Sequence, residues 1–247
     1  MASQPLVEPH GHGPEAHGAH HPDLAHQFDS LEQQKESSTL GTWVFLVTEV
    51  MFFGGLFLAY TVYRRLYPEA FLLASNTLNV TLGGINTAVL IGSSLTMVLA
   101  IWAAQVNWRK GIVLFLLLTM GLGTTFLVIK GFEYHDKFVE HHVPGPSFNF
   151  EEEHPSPHLQ ELAAKDPDLK RHTSIFFSLY FIMTGLHATH MIVGLGILAV
   201  LAVMAWKGKF DSEYHNPLEM TGLYWHFVDI VWIFLFPLLY LLGAHAR

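Results

Sequence analysis

Five long apolar stretches, roughly 41–63, 80–104, 111–130, 173–206 and 221–243, alternate along the chain with polar segments. Each supplies the roughly 20 mainly apolar residues that carry an α-helix across the hydrocarbon core of a bilayer. The pattern predicts an all-α integral membrane protein, an antiparallel bundle of five transmembrane helices. Only "QVNWRK" separates the second and third spans, which makes them a tight hairpin. The first span closes on "YRRLYPE", with Arg64 and Arg65 at the headgroups and Pro68 discouraging further helix. The second span, "VTLGGINTAVLIGSSLTMVLAIWAA", is laced with Gly, Ser, Thr and Asn, which let membrane helices approach closely, so much of its surface is expected to face other helices.

The polar segments set the domain boundaries. Residues 1–40 form a His-rich tail, "EPHGHGPEAHGAHHPDLAH" among them, with too little to bury and an expectation of disorder. Its imidazoles could hold a divalent metal loosely, but no fixed geometry gathers them, and a solvated tail is the plainer reading. No apolar core of a signal peptide stands at the amino end, so insertion is expected to rely on the first span. Residues 41–247 form the five-helix domain, interrupted by a long polar loop at 131–172 in which "PHLQELAAKD" is expected to make one short helix. No internal repeat is evident, which gives an inverted-repeat transporter no support.

Composition agrees with the pattern and narrows the chemistry. The 247 residues are 51% hydrophobic and 14% charged, with a mean hydropathy of +0.31. Cysteine is absent, which removes disulfides, CxxCH haem attachment and thiolate-held metals. The net charge of −8, with the acids clustered outside the spans, argues against a nucleic-acid partner. Lys and Arg number five on the amino-terminal side and eight on the other, which by the positive-inside rule would put the amino terminus outside. Four of those eight belong to the long acidic loop, where the rule is weaker.

Within the spans, Glu49, His187, His190, His226 and Asp229 each cost several kcal/mol (order of magnitude) if they face lipid, so each needs a partner. His226 and Asp229 are three apart and flanked by Trp225 and Trp232, and the imidazole can hydrogen-bond the carboxylate. A polar clamp that fixes packing and a proton relay both follow from that spacing. His187 and His190 in "HATH" also share a face; a haem held jointly with His226 and plain hydrogen bonds between helices are both open. Glu49 reads either as a neutral, hydrogen-bonded acid at a helix interface or as a carboxyl that exchanges a proton.

Taken together, "TEVMFFGGLFLAY", "INTAVLIGSSLT", "KGFEY", "GLHATHMIVG" and "YWHFVDIVWIFLFPLLYLLG" resemble, in order and spacing, the motifs of subunit III of the haem–copper cytochrome c oxidases. The likeness covers about 40–136 and 172–243. It implies a five-helix bacterial form of a fold whose long form has seven helices, set in the bacterial inner membrane with its amino terminus cytoplasmic and its carboxyl terminus periplasmic. This is preferred over the charge count. Position by position, Glu49 falls on the family's buried membrane glutamate and Glu133 on the acid of its "EY" pair. His187, His190, Trp225, His226 and Asp229 fall on its H-x-x-H and WHFVD positions. Glu rather than Asp at position 49 tilts the electron donor toward cytochrome c.

The resemblance further implies that this chain binds no haem or copper, which sit in the partner subunits, and catalyses no redox step itself. Its implied role is accessory, in an aa3-type oxidase: to pack against catalytic subunit I beside subunit II, to stabilise the metal centre and to support proton uptake. Other respiratory complexes are further partners the family suggests. The long form holds phospholipid in a cleft, and one wall of that cleft is absent here. The loop at 137–171 is longer than the family's. Two rival readings stand beside this one: the homologous subunit of a quinol oxidase or nitric oxide reductase, and an autonomous proton or ion transporter built around Glu49 and Asp229.

Overall fold

A computed structural model describes residues 27–140, 142–145, 148, 166–212 and 214–242. Among them every regular element is helical. The first helix, α1 (Leu31–Leu66), opens on a reciprocal cap: Ser30 Oγ accepts from the Gln33 N–H (3.1 Å) and Gln33 Oε1 accepts from the Asp29 N–H (2.9 Å). Residues 31–40, assigned above to the tail, are therefore helical. The run "LEQQKESSTL" is too polar to enter the membrane but rich in good helix formers, and hydropathy marks only where lipid begins. The rest of the His-rich tail lies outside the described residues.

Pro68 ends α1 but does not end helix. It occupies the first turn of α2 (Pro68–Asn76), where its fixed φ suits a helix start and its missing N–H removes nothing. Next comes α3 (Val80–Gln105), capped by Asn79, whose side chain accepts from the Thr81 and Leu82 N–H groups. The fourth helix, α4 (Arg109–Val139), continues through "GFEYHDKFV" well past residue 130, so the loop expected from 131 begins later. The last two are α5 (Leu169–Trp206) and α6 (Asn216–Tyr240). The helix expected in "PHLQELAAKD" and most of the loop around it lie outside the described residues. Five of the helices, α2 excepted, are long and apolar enough to cross a membrane, and the chain is a multi-pass membrane protein.

The extra length of α4 has a cause in its spacing. Its buried residues recur by alternating fours and threes: Ile112, Leu116, Thr119, Gly123, Phe126, Lys130, Glu133 and Lys137. The same register runs along α5 through Tyr180, Thr184, His187, Met191 and Gly194, and along α6 through Leu218, Gly222, Trp225, Asp229 and Trp232. Such stripes pack side by side in a bundle of nearly aligned helices. Here α3 packs on α4 and α6, and α5 packs on α4 and α6, which closes a four-helix core. Outside that core, α1 leans on α5 and α6, with Val47, Met51 and Leu58 turned outward.

Trp225 sits where four helices meet. Its Nε1–H donates to Ser93 Oγ of α3 at 3.0 Å. Its ring lies over Gly123 of α4 and Gly194 of α5, where an added β-carbon would come within 2.9 Å of the indole. The end of α6 is secured as well. The last carbonyls of a helix lack intrahelical partners, and here the Tyr60 hydroxyl of α1 donates to the Leu238 carbonyl and Ser75 Oγ of α2 to the Leu239 carbonyl. The short α2 packs chiefly on α5, with Phe71 edge-on to Phe176, and the Ser75 bond ties it to α6 as well.

Candidate functional site

The ionisable residues singled out in the sequence lie near the middle of their helices, Glu49 in α1, His187 and His190 in α5, His226 and Asp229 in α6. They do not form one cluster. Glu49 and His190 pair across α1 and α5, with Nε2 and Oε2 3.1 Å apart and the two side chains 19% and 17% exposed. His190 Nδ1 stands 2.8 Å from the Leu186 carbonyl, an acceptor only, so Nδ1 carries the proton of that bond. The contact to Glu49 then requires one further proton, on Nε2 or on Oε2. In either arrangement the pair is neutral as a whole and one proton lies between the two groups. Phe53 packs edge-on to the imidazole, and the Tyr224 hydroxyl donates to the His190 carbonyl from α6 at 3.0 Å.

His226 and Asp229 do not bond each other. Asp229 belongs to the buried stripe of α6 and is 3% exposed, whereas His226 sits beside the stripe and is half-buried. His226 Nδ1 meets Ser94 Oγ of α3 at 2.7 Å. The Ser94 hydroxyl also lies toward the Asp229 carboxyl, yet neither carboxyl oxygen completes a hydrogen bond among the described residues. Both residues line a groove of about 360 Å³ between α3 and α6, with Thr87, Ile230 and Ile233. Of the polar clamp read from their spacing, within the helix or between helices, the structure has the bond between helices from His226 to Ser94 and none between the two residues themselves. A gap of three residues fixes the shared side of a helix, not the partner.

His187 takes another direction. Its ring is buried against Phe126 and Trp232, at centroid distances of 5.4 and 5.2 Å, and neither nitrogen has a hydrogen-bond partner among the described residues. His187, His190 and His226 therefore have separate surroundings, with no facing imidazole pair of the kind a shared haem needs. Among the described residues no group of three or more His, Asp or Glu is arranged to hold a metal ion.

A fourth polar group joins α4, α5 and α6. Lys130 Nζ donates to Glu133 Oε2 (3.1 Å), Tyr180 Oη (3.1 Å) and Tyr240 Oη (2.8 Å), while both tyrosine hydroxyls donate to Glu133 Oε1, from Tyr180 at 2.8 Å. Beside it, Tyr134 and Thr184 share a hydrogen bond of 2.5 Å. One helical turn on, buried Lys137 donates to the Thr77 carbonyl (3.0 Å) and to Glu140. The sequence reading reached Glu133 only through family resemblance and missed Lys130, Tyr180 and Tyr240. The signal was available: Lys130 and Glu133 fall on the register of Gly123 and Phe126, and an ion pair three residues apart on a buried stripe can satisfy itself.

The family model described as cytochrome c oxidase subunit III matches residues 159–244, which include α5 and α6. The cytochrome c oxidase subunit 3 of Synechocystis sp. is 32% identical, over 92% of this chain and 80% of its own length. The chain belongs to the cytochrome c oxidase subunit III family. The subunit 3 of Corynebacterium diphtheriae is also 32% identical, over 82% of this chain and 86% of its own length. That of Alkalihalophilus pseudofirmus is 30% identical, over 83% and 86%.

The protein is therefore a haem–copper oxidase subunit III, and the five expected spans and the all-α fold stand. The part matched by the subunit III family model contains His187, His190, Trp225, His226 and Asp229. Glu49 and Glu133 fall in the part that only the alignments to whole relatives reach.

Proposed function

We infer that the chain is the accessory, non-redox subunit III of a bacterial aa3-type cytochrome c oxidase. In this reading it lies in the inner membrane with its amino terminus in the cytoplasm and its carboxyl terminus in the periplasm. It packs against catalytic subunit I beside subunit II, binds neither haem nor copper, and helps keep proton uptake fast while those subunits reduce oxygen. Bacterial relatives aligned over most of their length support the bacterial setting, and their naming as cytochrome c oxidase subunits supports cytochrome c as donor.

The Glu49–His190 pair carries the proton-linked part. A neutral couple near the middle of a membrane helix that gives up its shared proton and takes up another carries net charge in lipid only between the two steps, and its partial exposure at the α1–α5 seam leaves a way to reach it. Asp229 supports the packing part. A buried carboxyl without a completed bond, beside a groove open at the α3–α6 surface, suits a hydrogen-bond donor on a helix of subunit I. Glu49→Gln in the assembled oxidase tests the reading, because the amide keeps the shape but exchanges no proton. Subunit retention, haem content and initial turnover are expected to stay near wild type while inactivation per turnover rises several-fold. Wild-type survival over many turnovers would remove the proton-linked role, and ion transport by the purified chain alone would restore the autonomous transporter.

A further inference from the structure

The α3–α4 and α5–α6 connections lie on one face of the bundle, and three cations converge there. Arg109 and Lys110 open α4, and Lys207 follows the last residue of α5. With Trp206, Gly208 and Val113 they line a pocket of about 480 Å³. The two connections are locked together. Asn107, in the left-handed region at φ 58°, donates through Nδ2 to Ser212 Oγ (3.1 Å), and its Oδ1 accepts from the Ser212 N–H (2.9 Å). Gly208, at φ +72°, lets the Arg109 guanidinium lie against the backbone, since a β-carbon there would fall 2.8 Å from a guanidinium nitrogen. Among the described residues no carboxylate forms an ion pair with Arg109, Lys110 or Lys207.

A second feature meets this pocket. A groove of about 380 Å³, lined by apolar side chains, runs between α4 and α5 and shares Val113, Trp206 and Lys207 with it. Ala199 and Ala202 leave room on one wall, and Leu117 and Met120 form the other. From Val113 to Met120 it follows α4 for about 10 Å toward the membrane interior.

We propose that pocket and groove together bind one anionic phospholipid, with its phosphate on Arg109, Lys110 and Lys207 and an acyl chain between α4 and α5. The charge at the mouth calls for an anion, and the apolar descent calls for hydrocarbon joined to it; a phospholipid supplies both in that order. Basic pockets between transmembrane helices are suited to such headgroups. The exposed Trp206 indole stands at the boundary of the two regions, the level that tryptophan favours in membranes. The Asn107–Ser212 lock and the Gly208 backbone hold the cations ready, which distinguishes a site from the general attraction of a basic surface.

The full chain, purified in non-ionic detergent, is titrated with phosphatidylglycerol and with phosphatidylcholine, and bound lipid is counted by native mass spectrometry. One phosphatidylglycerol per chain is expected in preference to phosphatidylcholine. Removing two cations in Arg109→Gln/Lys207→Gln should weaken it about 25-fold, at about fivefold per charge. Ala199→Phe, which fills the groove and keeps every charge, should weaken it at least tenfold. Arg64→Gln/Arg65→Gln, at the opposite end of the bundle, should leave it unchanged. Equal binding of the two lipids overturns the proposal, as does wild-type affinity in either the charge or the groove variant. Competition by millimolar glycerol phosphate would make this a phosphate site and overturn the lipid assignment, and an acidic partner segment would be bound without regard to Ala199→Phe.

Discussion

The Lys130 ammonium has three N–H donors, and Glu133, Tyr180 and Tyr240 accept one each. The Glu133 carboxylate in turn accepts at both oxygens, so two opposite charges, 4% and 6% exposed, are held with their hydrogen bonds complete. Burial of such a pair is tolerable only with this completeness, because losing one partner strands the other charge. Lys130→Met and Glu133→Leu are each expected to cost about 3–5 kcal/mol, read as a lowered midpoint in thermal unfolding of the purified chain. The double variant should recover most of that loss; a double loss equal to the sum of the singles would mean that the two residues do not act as a pair. Lys130 escaped the sequence reading because a lysine closing an apolar run resembles a side chain reaching for the headgroups. Its register with Gly123 and Phe126 told otherwise, and only a count along the stripe reveals it.

Between helices, the smallest residues decide how near the elements come. Gly194 and Gly196 are two positions apart on α5 and differ in every respect that matters: the first lies against Trp225, the second faces open space. Gly194→Ala would place its β-carbon 2.9 Å from the indole, and moving a ring already fixed by Ser93 should destabilise by about 1–3 kcal/mol. Gly196→Ala meets nothing and removes a poor helix former, so it should stabilise by up to about 1 kcal/mol. Opposite shifts in thermal midpoint are the expected result, and a shared sign would show that Trp225 does not set the spacing. The number and order of spans were legible, since twenty apolar residues have few other uses. Their ends were not. Hydropathy falls where water begins, yet α1 starts ten or so residues earlier on good helix formers, α4 continues on a buried ion pair, and Pro68 starts a helix where a proline after an apolar run reads as a stop.

At the scale of the whole molecule, the two acids near the middle of their spans, Glu49 and Asp229, meet different surroundings. Glu49 finds its partner in His190, whereas no described residue completes a hydrogen bond to Asp229, and neither outcome could be foreseen from spacing, because partners come from other helices. An acid near the middle of a membrane helix that its own chain leaves unsatisfied is costly to the isolated subunit and useful to an assembly that supplies the missing donor. The two effects can be separated. Asp229→Leu removes the burden from the isolated chain, so its thermal midpoint should hold or rise; in the complex the same change strands the partner's donor at about 1–3 kcal/mol, a five- to 150-fold loss of subunit retention during purification. Asp229→Asn keeps an acceptor at the same place, and its retention should stay close to wild type. Measured side by side, stability and retention should therefore move in different directions for the leucine variant and barely move for the asparagine variant. Full retention of Asp229→Leu would place the oxidase contact on another face of the bundle, and a fall in stability of the isolated chain would assign Asp229 to internal packing beside Ser94 instead.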